Sequence, residues 1–269
     1  MPNAAVVFLL IVVLAVIWFT QGGLPITSRG PANTPQSQSS VQNGGAQNGA
    51  AGEEKIEVSL SNGSAQSADK AADEYIELRA SYSNTKPVNI TGWRLENKEG
   101  EKYFIPSGSK LAYSARANAE GLITLEPNAR AYVVTGKSPI NSSFLINFCM
   151  GFFNEQYQFK PSLFTSCPAP EKEPGAENEN DACYSYLRSL GSCKTPSANP
   201  PLNIDSDCRQ FLDQRVNYAG CVDAHRNDGN FYGNEWRIYL GQKEEIWSNV
   251  RDSIKLFDQN SNLVAETSY

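Results

Sequence analysis

The sequence contains a single histidine, and none of its six cysteines belongs to a C-x-x-C pair. Structural zinc sites and haem attachment sites use such pairs or several histidines, so the sequence argues against both. It also lacks an excess of basic residues, since the net charge is -6 and the pI is about 5.0. Nucleic-acid-binding surfaces are ordinarily basic. We therefore predict no cofactor, no metal and no nucleic-acid partner.

Motifs of common hydrolases are missing as well, because neither G-x-S-x-G nor H-E-x-x-H occurs. The sole histidine, His225, stands in CVDAHRNDGN. A histidine acting as general base needs a positioned nucleophile or a metal. We interpret His225 as a polar loop residue that follows a disulfide, and we predict that the protein is not an enzyme.

Four aspartates could together supply the oxygen ligands that calcium prefers. They are Asp205, Asp207, Asp223 and Asp228. The segment N-I-D-S-D lacks the glycine and the distal glutamate of an EF-hand loop, however, and helix capping explains Asp205 and Asp207 adequately. A calcium site is therefore the weaker interpretation of these residues.

Six cysteines without metal-site spacing are typical of disulfides, which form in an oxidising compartment. An apolar run near the N-terminus also indicates that the rest of the chain lies outside the cytoplasm. Residues 4–19 are sixteen apolar residues without a charge, about 24 Å long as a helix at ~1.5 Å per residue. We predict a transmembrane anchor at 4–20. A cleaved signal peptide is the alternative, although no A-x-A cleavage site is present.

The next segment, 21–52, is rich in Gly, Pro, Ser, Gln and Asn and carries one charged residue, Arg29. Such a composition offers too little apolar surface to offset the entropy of ordering. We predict a flexible linker that holds an extracytoplasmic domain away from the membrane, and therefore the membrane itself as one partner.

Strand periodicity begins after this linker. Ile76 and Leu78 alternate with polar neighbours. Val88 and Ile90 share one face of the chain, whereas Trp93 and Leu95 fall on the opposite parity. A β-bulge at Thr91-Gly92 would add one residue to the strand, so that the apolar side chains before and after it point to the same face and reach one core. Trp93 is the tryptophan we expect to be buried between sheets.

Several spaced motifs resemble a lamin-tail domain: EYIELR, VNITGWRL, YFIP and LEPNARAYVVTG, followed by the closing segment WSNVRDSIKLFDQNSNLVAETSY. The resemblance implies an immunoglobulin-like β-sandwich that binds or scaffolds and does not catalyse. The matching pieces cover roughly 55–140 and 234–269. The predicted domain spans 53–269 and is interrupted at about 141–233, where a cysteine-containing insert replaces a short connection. The fold class that follows is mainly β, with an α-helical insert and the N-terminal anchor.

The last part of the chain returns to strand periodicity. Trp236 is predicted to point inward, with Arg237 and Tyr239 outward, and Ile254 and Leu256 to continue the core. The predicted core therefore contains Ile76, Leu78, Trp93, Trp236, Ile254 and Leu256.

The insert opens with the aromatic run FLINFCMGFFNEQYQF. We expect these aromatic side chains to pack the insert onto the sandwich, and an exposed adhesive patch is the alternative. The proline-containing segment 168–180 is predicted to be a solvated loop.

Two helices are predicted next. The first is capped by Asp181 and ends at Gly191, and the second is capped by Asp205 or Ser206. Cysteines bracket each helix, and in an antiparallel hairpin the opposite ends meet. This geometry predicts a disulfide-braced hairpin with the bridges Cys183–Cys221, Cys193–Cys208 and Cys149–Cys167.

Three functions are compatible with these features, and the weakest of them is a purely structural spacer without a preferred partner. The preferred one is a non-catalytic, membrane-anchored extracytoplasmic module that binds or scaffolds a protein or polymer of the cell envelope. The alternative is an anchored hydrolase that uses carboxylates in a crevice between insert and sandwich.

Overall fold

The computed structural model describes residues 56–113, 118–164 and 166–269. The predicted anchor at 4–20 and linker at 21–52 lie outside the described residues. Within the described part, no helix combines the length and the apolar character needed to cross a lipid bilayer.

The described chain is mainly β. Its strands are β1 Val58–Ser61, β2 Tyr75–Ala80, β3 Val88–Asn89, β4 Arg94–Glu96, β5 Lys102–Phe104, β6 Thr124–Leu125, β7 Arg130–Val134, β8 Phe144–Asn147, β9 Tyr232–Tyr239, β10 Ser253–Phe257 and β11 Leu263–Ser268. Its α-helices are α1 Asp181–Ser189, α2 Ser206–Arg215 and α3 Tyr218–His225, and a longer 3-10 helix spans Phe148–Glu155.

The strands form three sheets, with the orders β1-β2-β7-β9-β8, β11-β10-β4-β5 and β3-β6. The pairings are antiparallel except for β7 with β9, which run parallel. A parallel pair requires a long crossover connection. Here the crossover contains β8, the 3-10 helix and all three α-helices. β8 lies within the predicted bounds of the insert, yet it is an ordinary strand of the five-stranded sheet.

One apolar core is shared by the two larger sheets. The alternation predicted in β2 is observed, with Ile76 and Leu78 fully buried. All six predicted core side chains lie in this cluster and are nearly inaccessible to solvent: Ile76, Leu78, Trp93, Trp236, Ile254 and Leu256.

The alternation of buried side chains shifts by one residue at Thr91-Gly92 because the chain makes a turn there. The predicted β-bulge is wrong. The amide of Trp93 donates to the carbonyl oxygen of Ile90 at 3.1 Å, and Gly92 has a φ of 78°. Glycine adopts this positive φ without steric cost, as the third residue of such a turn requires. The turn carries the chain from the two-stranded to the four-stranded sheet, and so the side chains before and after it both reach the core.

Caps define the helices of the insert. Asn180, and not Asp181, caps α1 by accepting from the amide of Cys183, whereas Asp205 caps α2 as predicted. The third helix, α3, was not predicted. Its N-cap residue, Asn217, directly follows Val216, which is the C-cap residue of α2. Gly220 makes this sharp change of direction possible, because a Cβ there would lie 2.2 Å from the carbonyl oxygen of Gln214.

All six cysteines form disulfides, but the predicted pairing is wrong. The bridges are Cys149–Cys221, Cys167–Cys193 and Cys183–Cys208. The first turns of α1 and α2 meet, because each contains one cysteine of the third bridge. Asn180 also donates to the carboxylate of Asp205, so that the two caps are joined at 2.7 Å.

The error has a physical origin in the extra helix. A hairpin brings opposite ends of its two helices together, whereas α1 and α2 meet at their N-terminal ends. Cys221 lies on α3, which packs against the 3-10 helix and therefore reaches Cys149.

The insert covers the face of the five-stranded sheet that points away from the shared core. The prediction that Arg237 and Tyr239 point into solvent is therefore wrong: Arg237 is 1% exposed, and Tyr239 belongs to a second apolar core. This core contains aromatic residues of the run that opens the insert, namely Phe144, Phe152, Phe153 and Phe159, with Phe148 and Tyr157 at its edge. The expectation that these residues pack the insert onto the sheet is confirmed.

Candidate functional site

An apolar groove lies where the insert leaves and rejoins the five-stranded sheet. Its volume is about 240 Å³. It is formed by the end of β8, the start of the 3-10 helix, the loop before Cys167 and the chain entering β9. Its lining residues are Ile146, Asn147, Phe148, Met150, Leu163, Phe164, Ser166, Asn230, Phe231 and Gly233.

Phe164 forms the exposed edge of this groove. Its side chain is 73% exposed, whereas Leu163 beside it is buried in the second core. A largely exposed phenylalanine next to an apolar depression has unfavourable contact with water. The groove and Phe164 together can therefore receive an apolar side chain from another molecule.

His225 lies behind the groove, between two carboxylates. Its Nε2 is 3.0 Å from Oε2 of Glu173, and its Nδ1 is 2.8 Å from Oδ2 of Asp228. The imidazole also contacts the ring of Phe148 edge-on, with 5.3 Å between ring centroids. Phe148 therefore separates this ionic group from the groove, and none of the three ionic residues lines the groove.

The charge state of His225 follows from these contacts. Burial opposes its protonation, but the hydrogen bonds to Asp228 and Glu173 outweigh burial, so the pKa of His225 is raised above its ordinary value of 6.5. A neutral imidazole has one N–H and cannot donate to both carboxylates, whereas the protonated ring can. The geometry thus favours a positively charged His225.

Glu173 was predicted to lie in a solvated loop, and this prediction is wrong. Only 3% of the residue is exposed. Burial raises the pKa of its carboxyl group, and the contact with His225 offsets part of this effect. His225 lies at the end of α3 and not in a loop. Its contact with Glu173 holds the segment before α1 against this helix. Both ring nitrogens of His225 contact carboxylates, so neither nitrogen is free to act as a base on a substrate.

The protonated state of His225 predicts a pH-dependent stability. Because its pKa is raised in the folded state, its contribution is complete below pH 6.5 and is lost as the pH rises through the folded pKa. We expect His225→Gln to lower the free energy of unfolding by about 1–2 kcal/mol at acidic pH, where the charged ring is replaced by a neutral amide.

The difference between the two proteins should shrink as the pH rises through the folded pKa of His225, because the wild-type ring then becomes neutral. Urea unfolding at several pH values measures it. Asp228→Asn is the matched control, since it removes only the more exposed carboxylate and should give a smaller change of the same sign. A difference that does not vary with pH would contradict the charged bridge.

A second buried ionic group joins the sheet to the insert. The guanidinium of Arg237 contacts Oε1 of Glu235 at 2.7 Å and donates to the carbonyl oxygens of Pro161 and Ser162. It also lies over the ring of Tyr132, 4.8 Å from the ring centroid. Arg237 therefore holds the loop that leads to Phe164.

The four aspartates considered for calcium do not converge on a metal site. Asp205 caps α2, and Asp228 binds His225. Within the ranges that the structure describes, the one close group of potential metal ligands is Glu179 with Cys183 and Cys208. Its two sulfurs are joined in a disulfide, so they are not thiolate ligands.

Comparison of the chain with family models, with curated proteins and with solved structures gives no match.

The groove was not predicted from the sequence. Its residues come from three separate segments of the chain that have no common motif, and Phe164 alone gives no signal of exposure. Glu173 and Arg237 were missed for a related reason, because a charged residue is buried only when the fold supplies its partners.

Proposed function

We propose that the chain is a non-catalytic binding module that recognises a partner protein through the apolar groove beside Phe164. In this proposal the folded part is an immunoglobulin-like β-sandwich of the lamin-tail kind. Residues 4–20 anchor it to a membrane, and the domain lies outside the cytoplasm. The observation that carries the proposal is a strongly exposed phenylalanine at the edge of an apolar groove, on an insert held by disulfides.

The architecture supports the sandwich interpretation. The five-stranded and four-stranded sheets share one core, as the two layers of a sandwich do. The three disulfides support an oxidising location, because such bonds persist outside the reducing cytosol.

The size of the groove indicates the kind of partner. Small-molecule sites usually measure ~300–1,000 Å³, and this groove is smaller. One bulky apolar side chain of a protein fits its size and its apolar lining. Aromatic anchors in such pockets often supply much of the binding energy of an interface. The disulfides and the Arg237 contacts hold the loop in place, which reduces the entropy lost on binding.

The carboxylate pair gives less support to a hydrolase. Glu173 and Asp228 both bind His225, so neither carboxylate is left to act as acid or nucleophile without first breaking that contact. A bridge between structural segments explains their positions.

Site-specific photo-crosslinking of the full-length chain in its native membrane tests the proposal. We expect p-benzoyl-phenylalanine at position 164 to capture one defined protein. The same probe at position 202 is the control, because Leu202 is also exposed, at 97%, but does not line the groove.

Affinity for the captured protein provides the second measurement. Phe164→Ser should weaken binding by roughly tenfold or more, as loss of an anchor side chain does, and Leu202→Ser should not. Equal capture at both positions, or unchanged affinity of Phe164→Ser, would overturn the proposal.

A further inference from the structure

The outer face of the four-stranded sheet carries two ordered rows of side chains. Residues of β5, β4, β10 and β11 that face away from the shared core alternate with buried residues such as Leu95 and Leu256. We call this the outer face. Its eight side chains are Lys102, Glu96, Lys255, Glu266, Phe104, Arg94, Phe257 and Leu263.

The first row consists of charges that alternate in sign. Strand register places Lys102 beside Glu96, Glu96 beside Lys255 and Lys255 beside Glu266. Read across the sheet from β5 to β11, the signs are plus, minus, plus, minus. Lys255 and Glu266 already form an ion pair, with Nζ and Oε1 at 4.0 Å.

The second row lies two residues further along the strands. Phe104 is beside Arg94, Arg94 beside Phe257 and Phe257 beside Leu263. The two ends of the row are exposed apolar side chains, at 60% for Phe104 and 54% for Leu263. In the middle, the guanidinium of Arg94 lies over the ring of Phe257, 4.2 Å from its centroid.

Both rows are complementary to themselves under one two-fold rotation. Consider an axis that runs along the strands in the plane of contact, midway between β4 and β10. It places each row against the same row of a second copy, in reversed order. Lys102 then opposes Glu266 of the second copy, and Glu96 opposes Lys255.

The same axis pairs the second row. Phe104 opposes Leu263 of the other copy, and Arg94 opposes the ring of Phe257. A contact of this type is isologous, since each pair occurs twice, and cyclic dimers are the commonest symmetric assemblies. We propose that the outer face binds a second copy of this chain.

The size of the face determines how strong this association can be. Four strands at ~4.8 Å spacing span roughly 19 Å, and the contact is smaller than the ~800 Å² per partner of a standard interface. We expect a weak dimer, with a dissociation constant above about 10 μM. Its affinity falls with added salt, because the charged pairs lie at the surface.

This proposal is independent of the groove and of the proposed partner protein. The outer face and the insert lie on different sheets, and the dimer requires neither Phe164 nor the membrane anchor. Failure of the Phe164 experiment therefore leaves it unaffected, and failure of the experiments below leaves the groove unaffected.

Charge reversal in the full-length chain tests the symmetry directly. Lys102→Glu and Glu266→Lys should each weaken self-association by about tenfold, because each creates two like-charged pairs per dimer. In an equimolar mixture of the two variants, opposite charges face each other again at both positions, and the heterodimer should recover most of the wild-type affinity. Sedimentation at several protein concentrations measures these affinities.

Lys172→Glu is the matched control for the charge change, because Lys172 is exposed on the insert. It should leave self-association unchanged. Thermal unfolding of each variant shows whether the four-stranded sheet remains folded.

Zero-length carbodiimide crosslinking of a mixture of ¹⁴N- and ¹⁵N-labelled chains provides the second test. We expect crosslinks of mixed isotope content that join Lys102 to Glu266 and Lys255 to Glu96. A wild-type chain that stays monomeric at 1 mM, or a mixture of variants that does not recover association, would overturn the proposal.

Discussion

Arg237→Leu is expected to lower the free energy of unfolding by about 3–5 kcal/mol, the usual cost of removing one partner of a buried ion pair. Glu235 would remain buried beside an apolar side chain, and among the described residues only Arg130 would still contact it as a cation, at 3.8 Å. The carbonyl oxygens of Pro161 and Ser162 would lose the donor that holds their loop on the sheet. Urea unfolding of the oxidised, full-length chain measures the change.

Two further variants show whether the loss of stability comes from leaving a buried charge unpaired or only from removing a positive charge. Arg130→Leu removes a partly exposed cation from the same network and should cost about 1 kcal/mol or less. Replacing Arg237 and Glu235 together by leucine should cost less than Arg237→Leu alone, since no unpaired charge remains. If Arg237→Leu is no more destabilising than Arg130→Leu, the buried pair is not what holds the loop.

Replacing both Cys149 and Cys221 by alanine is expected to cost about 4 kcal/mol. This bridge closes the longest loop of the three, because its two cysteines are 72 positions apart in the sequence, and it constrains the unfolded chain most. The Cys183–Cys208 bridge spans 25 residues, so its removal should cost about 3 kcal/mol by the same argument. Urea unfolding of the two double variants compares them.

The pairing itself is checked by peptide mapping without reduction. We expect one peptide pair that contains Cys149 and Cys221, and a second that contains Cys183 and Cys208. Recovery of Cys149 joined to Cys167 would contradict the fold of the insert, because α3 could then no longer be fastened to the 3-10 helix.

Local patterns predicted the strands well. The alternation of Ile76 and Leu78 is a property of a few adjacent residues, because successive side chains of a strand point to opposite faces. The same holds for Asp205, whose side chain caps α2 by accepting from the amide three residues later. The involvement of all six cysteines in disulfides followed from their spacing and number.

Predictions that needed the relative placement of segments were less successful. The spacing of Cys208 and Cys221 predicts one helix between them, whereas Cys221 lies in the separate helix α3, and the wrong cysteine pairing follows from this difference. Arg237 was placed in solvent by strand alternation, which is valid only when one face of a sheet is exposed. The insert covers that face, and no local pattern in β9 reports it.

By itself, the sequence determined the mainly β character of the domain, its core residues and the oxidised state of its cysteines. These depend on side-chain periodicity and composition, which are local. Only the tertiary structure decided which cysteines pair, which charges are buried and where the groove beside Phe164 and the outer face lie. Each of these features is formed by residues that are distant in the sequence. Their interactions exist only when the fold brings them into contact, so no local pattern in the sequence can predict them.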